Sequence, residues 1–105
     1  MTNARIVLTT AGSEEEAGKI ARTLVERRLA ACVNILPKVE SIYRWEGKVE
    51  NAVEWLLLIK TTAAASQDLC ASIQSLHSYQ VPECIVLDVS GGESNYLNWI
   101  KASVG

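Results

Sequence analysis

Apolar and polar residues alternate with period two along two adjoining stretches of this chain, one on each side of Glu46-Gly47. Before that break, Val39, Ser41, Tyr43 and Trp45 share one face while Lys38, Glu40, Ile42 and Arg44 share the other. After it, Val53, Trp55, Leu57 and Ile59 alternate with Glu54, Leu56, Leu58 and Lys60. Such a period, in residues that fit a pleated surface, predicts one extended β-hairpin between Leu29 and Thr61. Strands of about five or six residues are usual, so arms this long overhang the sheet of a small domain. An overhanging, partly apolar ribbon invites pairing with another chain, which makes the hairpin an assembly device.

The remaining elements follow from spacing and caps. Ile6 to Thr10 is a short apolar, β-branched run that predicts a central strand buried on both faces. Gly12-Ser13 ends it. Ser13 and Glu16 have capping-box spacing, and Glu14 and Glu15 sit where a helix dipole favours negative charge. Ala17, Ile20, Ala21, Leu24 and Val25 then keep helical spacing, with Arg27-Arg28 expected to close the last turn. Inside the first hairpin strand, Pro37 removes a ladder donor and predicts a bulge. Ala65, Leu69, Ile73 and Leu76 form one stripe of a second helix over Ala63 to Leu76. His77 to Glu83 reads as a loop, Cys84 to Val89 as a strand ended by Gly91-Gly92, and Tyr96, Leu97 and Ile100 as a short terminal helix.

The order β-α-β-β-α-β plus a final helix predicts an α+β, ferredoxin-like sandwich in a single domain over residues 1–105. Its sheet is four-stranded and antiparallel, with two helices on one face. The long hairpin and terminal helix are left to cover the other. Fold alone fixes no activity, because this architecture hosts many unrelated ones.

A chain of 105 residues with 49% apolar and 21% charged residues can build a core without staples. The formal net charge of -2 speaks against a nucleic-acid partner. No signal-peptide pattern opens MTNARIVLTT and no run is apolar and long enough to span a membrane, so no membrane partner is expected. Cys32, Cys70 and Cys84 are odd in number and lack CxxC spacing. They predict free thiols, mostly small buried hydrophobes, in a reducing compartment, and hence a cytoplasmic protein. P-loop, GxGxxG and GxSxG motifs are missing, which predicts a non-catalytic protein. An RNA-recognition-motif reading of the fold fails as well, since the chain has no Phe and no Lys/Arg-Gly-Phe/Tyr context.

Several segments together carry a family resemblance. They are Leu29-Ala30-Ala31-Cys32-Val33-Asn34-Ile35, Pro37, and Ser41-Ile42-Tyr43-Arg44-Trp45-Glu46-Gly47-Lys48. Glu54, Lys60-Thr61, His77-Ser78-Tyr79, Pro82-Glu83 and Tyr96-Leu97-Asn98-Trp99-Ile100 follow in order. Over nearly its whole length the chain resembles the CutA family of divalent-cation tolerance proteins. The resemblance implies a ferredoxin-like subunit in a compact homotrimer joined through the long hairpin, architecturally related to PII signalling proteins; the burial that assembly adds predicts a thermostable protein. It also implies a part in tolerance of copper and other divalent metals. Two positions depart from the family's pattern. Ser78 stands where members commonly have Pro, which bears on the rigidity of that loop. Thr9 stands where some members carry a cysteine discussed as a soft metal ligand, so a metal role for that thiol does not transfer.

Against this background two constellations are candidates for chemistry. His77, the only histidine, and Glu83 lie in one loop and are suited to copper or another divalent ion of modest affinity, with no tightly bound cofactor expected. A loop-anchoring hydrogen bond is the competing role for His77, since two ligands fall short of a closed site. Tyr43, Trp45, Glu54, Trp55, Lys60 and Tyr79 could wall a small-ligand cleft between subunits, the PII-like alternative, or could form an interface core.

Overall fold

Pairing within the sheet sorts each strand's alternating residues onto two faces, and the two faces have different fates. The computed structural model describes residues 2–105. In chain order its elements are β1 (Ala4–Ala11), α1 (Glu14–Glu26), β2 (Cys32–Trp45), β3 (Lys48–Thr62), α2 (Ala63–Leu76), β4 (Ile85–Asp88) and α3 (Ser94–Ser103). The strands pair antiparallel in the order β2-β3-β1-β4. This is the expected α+β arrangement, with β1 central and the long ribbon at one edge.

One face carries Val7, Thr9 and Ala11 of β1, Leu57, Ile59 and Thr61 of β3, and Val33 and Ile35 of β2. Ile20 and Leu24 of α1 and Leu69 and Ile73 of α2 close over it, all fully buried or nearly so. The opposite face presents Ile6, Leu8, Leu36, Leu56, Leu58, Ile85 and Leu87. Leu36, Ile85 and Leu87 are exposed and the other four half-buried. α3 returns against β1 and β3 at one end, where the buried Ile100 shares a crevice with Ala4 and Thr62. The rest of that face stays open in the single chain.

Pro37 sits at the expected bulge. Leu36 faces Leu56, but Val39 faces Glu54, so β2 carries one residue more than β3 between those rungs. Lys38 takes a left-handed conformation there, φ 57°. One extra residue flips every later side chain to the other face. It therefore turns Ser41, Tyr43 and Trp45 onto the open face with Glu54. At the ribbon's tip Glu46 and Gly47 both have positive φ, 49° and 80°, as a two-residue primed turn requires.

Four expectations are corrected. α1 stops at Glu26, so its last turn holds no basic residue. Arg27 is the cap and Arg28 is left-handed, and the Arg28 guanidinium donates instead to the carbonyls of Ala102 and Gly105 at the end of α3. Val25 is exposed, and β4 is shorter than the Cys84 to Val89 run. Most consequentially, Cys70 and Cys84 are not free thiols but a disulfide, leaving Cys32 as the free one. Sequence spacing did not bring α2 and the start of β4 together; the fold does. The inference of a reducing, cytoplasmic setting from three free thiols thus loses its premise. Among the described residues no helix is long and apolar enough to cross a membrane.

Thiol titration of the unfolded, unreduced chain should return a single thiol, and three after reduction. Because the bridge closes a sequence separation of 14, its loss should lower folding stability by about 3 kcal/mol. Denaturant unfolding of the wild type and of the Cys70→Ser/Cys84→Ser variant measures this, and equal midpoints would contradict it.

Candidate functional site

The overhanging part of the ribbon leans over the loop between α2 and β4 and leaves a cleft of about 590 Å³. Tyr43 and Trp45 from β2, Glu54 from β3, and Tyr79 and Glu83 from the loop line it, joined by Thr10, Ser41, Ile42, Gln80 and Val81. Of the six residues expected to share a cleft, four do. Trp55 does not, because it follows Glu54 in the strand and points to the helix side, where its ring packs against the core. Lys60 lies on the same face as Glu54 but six residues along, or about 20 Å at a strand's rise per residue. It bonds Asn34 and approaches Cys32 Sγ at 3.9 Å.

The loop is held by His77. Its side chain is wholly buried and both ring nitrogens are engaged. Nε2 donates to the Thr10 carbonyl at 2.6 Å, and Nδ1 accepts from the Tyr79 amide at 3.1 Å. Since a carbonyl can only accept and an amide N–H can only donate, this pattern fixes the neutral Nε2–H tautomer. The neighbouring Glu16 Oε2, 3.9 Å from Nδ1, is therefore a contact and not an ion pair. As the ring stands, no lone pair is free for a metal. Thr9, at the position of the missing family thiol, is fully buried on the helix side, and its hydroxyl has no partner.

From the pinned imidazole the hydrogen bonds continue into the cleft. Tyr79 packs tilted against His77 with ring centroids 4.5 Å apart, and its hydroxyl donates to Glu54 Oε2 at 2.7 Å. Gly12 makes room for that hydroxyl, since a Cβ there would meet Tyr79 Oη at 3.0 Å. Burial, helped by the bond to the Glu54 carboxylate, pushes the Tyr79 phenol far above its ordinary range. Glu54 is only 8% exposed and, among the described residues, has no basic side chain in ion-pairing range. Burial and then the charge on Glu54 push the carboxyl of Glu83 upward. The cleft wall contains no Lys, Arg or His at all. It is an acidic, aromatic-walled recess.

Ser78 explains how the loop stays ordered without the family's proline. Its amide donates to Glu16 Oε2 at 2.8 Å, a bond proline could not make. Glu16 was legible only as half of a capping box. Ser13 Oγ does accept from the Glu16 amide at 3.1 Å, but the carboxylate is committed to the loop 62 residues away. Burial, the largest single influence, works to raise the Glu16 carboxyl, yet hydrogen bonds from Ser78 and Gly12 and the nearby His77 ring together outweigh it and hold the group below its ordinary value.

With this geometry in view, comparison with known proteins is decisive. The family model for CutA1 divalent ion tolerance protein matches residues 5–103. This chain belongs to the CutA1 family. The divalent-cation tolerance protein CutA of Thermus thermophilus is 49% identical over 100 residues, 95% of this chain and 97% of that one. A chloroplastic CutA of Arabidopsis thaliana is 44% identical over 93% of this chain but only 54% of its own, longer length. The crystal structure of CutA from Xylella fastidiosa superposes with a TM-score of 0.97 at 39% identity, covering 99% of this chain and 100% of that one. Members of this family are tolerance proteins and not enzymes, in keeping with the missing catalytic motifs.

The lowered Glu16 carboxyl gives a pH dependence with a definite sign. Its stabilisation is complete above the ordinary value of 4.5 and is lost as pH falls through the lower value it has in the fold. Glu16→Gln should therefore be less stable than wild type at pH 7 and should lose less on acidification. Denaturation midpoints measured at neutral and acidic pH check this, and identical pH profiles for the two proteins would contradict it.

Proposed function

We propose that this chain acts in divalent-cation tolerance, copper above all, as a non-catalytic homotrimer that holds divalent metal ions with modest affinity. The observation that carries the metal reading is Glu54, a buried carboxylate with no cationic partner, beside a second carboxylate on Glu83. A buried charge left alone is costly, and a cation between the two groups would relieve both. Glu83 keeps its place in this reading, and Glu54 takes the one first considered for His77, whose nitrogens are engaged. Among the described residues no three His, Cys, Asp or Glu side chains come together to hold a metal, which accords with modest affinity. A neighbouring subunit would supply further ligands.

Assembly is supported by the sheet. β2 and β4 are edge strands, β2 is 14 residues long, and the open face between them is apolar. Tyr43 and Trp45 are each 44% exposed in the single chain, large apolar area that a second copy would cover. Trp55, expected at this seam, belongs instead to the subunit's own core. The aromatic walls of the cleft favour a second reading, a PII-like module that binds a small organic ligand between subunits.

Light scattering should give three times the 11.5 kDa chain mass, and a monomer mass would reject the assembly. Trp45→Ala should weaken the trimer by about 3–5 kcal/mol if the ring is buried there, whereas Lys19→Ala on the outer face of α1 should change little.

Calorimetry of the oxidised protein with Cu(II), Zn(II) and Mn(II) tests the cleft. Glu54→Gln and Glu83→Gln should each weaken binding roughly tenfold or more, and binding should fall as the carboxylates protonate on acidification. Unchanged affinity in both variants would remove the cleft from the metal reading. A metabolite that bound the cleft in competition with no metal would favour the second reading.

A further inference from the structure

The bridge between Cys70 and Cys84 brackets the loop that lines the cleft, yet neither cysteine lines it. Cys70 stands midway along α2 and Cys84 one residue before β4, with Cα atoms 6.0 Å apart and both residues half-buried. Each packs against the edge of the core, so each keeps apolar contacts of its own beside the bond. Breaking the bond would therefore leave two thiols facing one another on a scaffold that still positions them.

We propose that the reduced Cys70–Cys84 pair is a binding site for a soft monovalent cation, cuprous copper, and that oxidation to the disulfide closes it. The ligand set selects the ion. Thiolates are soft donors and favour Cu(I) over hard divalent ions. Among the described residues no third His, Cys, Asp or Glu joins the pair, so the single chain does not supply the four-ligand shell zinc takes in structural sites. Cu(I), a closed-shell monovalent ion, is satisfied by two thiolates in a line. The chain's other cysteine cannot substitute, because Cys32 stands on the open sheet face beside Lys60.

The chemistry balances with one named co-reactant. A small dithiol gives two electrons and two protons to the Sγ–Sγ bond, leaving Cys70 and Cys84 as thiols and itself as a disulfide. Cu(I) then displaces both thiol protons to solvent and forms two Sγ–Cu bonds, with no change in its own oxidation state. In the disulfide form neither sulfur has a thiolate to offer. The site therefore opens only under the reducing conditions in which copper is itself cuprous.

The site takes no ligand from the cleft, whose carboxylates are intact in the oxidised protein, so the oxidised form tests the cleft alone and its comparison with the reduced form tests the thiols. The test is anaerobic competition for Cu(I), supplied as its acetonitrile complex, between the full-length protein and a chromophoric Cu(I) chelator. Reduced wild type and reduced Cys32→Ser should each take one Cu(I) per chain, at least about a hundredfold more tightly than oxidised wild type. Reduced Cys70→Ser/Cys84→Ser should bind no better than the oxidised protein. The oxidised and reduced wild type have the same sequence, so this comparison needs no variant to fold, and circular dichroism checks that the reduced form keeps its structure. Equal affinity in the two redox states, or undiminished binding in the double variant, would overturn the proposal.

Discussion

The ring of His77 ties the loop between α2 and β4 to the central strand. Its Nε2–H reaches the Thr10 carbonyl on the central strand while its Nδ1 takes the Tyr79 amide of its own loop. Buried and bonded at both nitrogens, the imidazole is an anchor, and its position sets that of Tyr79. Tyr79 in turn holds the carboxylate of Glu54 through its hydroxyl. Thr10, the loop residues His77 and Tyr79, and Glu54, from three parts of the sequence, thus act as one unit that sets one wall of the acidic cleft. Hydrogen bonds to a charged group in a poorly solvated place are stronger than exposed ones, which is why one such chain can position a loop.

The second constraint is the single extra residue in β2. Without the bulge after Leu36, the row Ser41, Tyr43 and Trp45 would lie on the helix side of the ribbon, away from Glu54. With it, the aromatic row faces the carboxylates and the open apolar face becomes continuous from β4 to the ribbon. The same bulge therefore builds the cleft wall and presents the surface that a second copy would cover. Lys38 accepts a left-handed backbone at that point, a conformation that L residues ordinarily avoid.

The elements were legible in the sequence because each announces itself locally. Alternation over more than ten residues marks β2 and β3, and α2 begins and ends where its apolar stripe does. What escaped were contacts between residues distant in sequence. Glu16 and Ser78 meet across 62 positions, and nothing in the capping-box spacing of Glu16 points to a loop. Cys70 and Cys84 were set aside by an argument from odd number and compartment, although an odd count leaves room for one pair and one free thiol. Trp55 was grouped with Glu54 in spite of the alternation that had already assigned them to opposite faces. A lone histidine in a loop suits a metal contact and a loop anchor equally by sequence, and the geometry of His77 is that of the anchor.

With His77 a neutral structural pin, the carboxylates of Glu54 and Glu83, and not the imidazole, would meet the cation proposed for the cleft. Nitrogen-15 NMR of the His77 ring in the oxidised, metal-free protein tests this most directly, with Zn(II) then added as a probe. The expected spectrum is that of the neutral Nε2–H tautomer, with a slowly exchanging ring proton. On adding Zn(II), the carboxyl carbons of Glu54 and Glu83 should shift while both ring nitrogens stay where they were. A ring found as the Nδ1–H tautomer, or a ring nitrogen moving to a metal-bound position, would contradict the account.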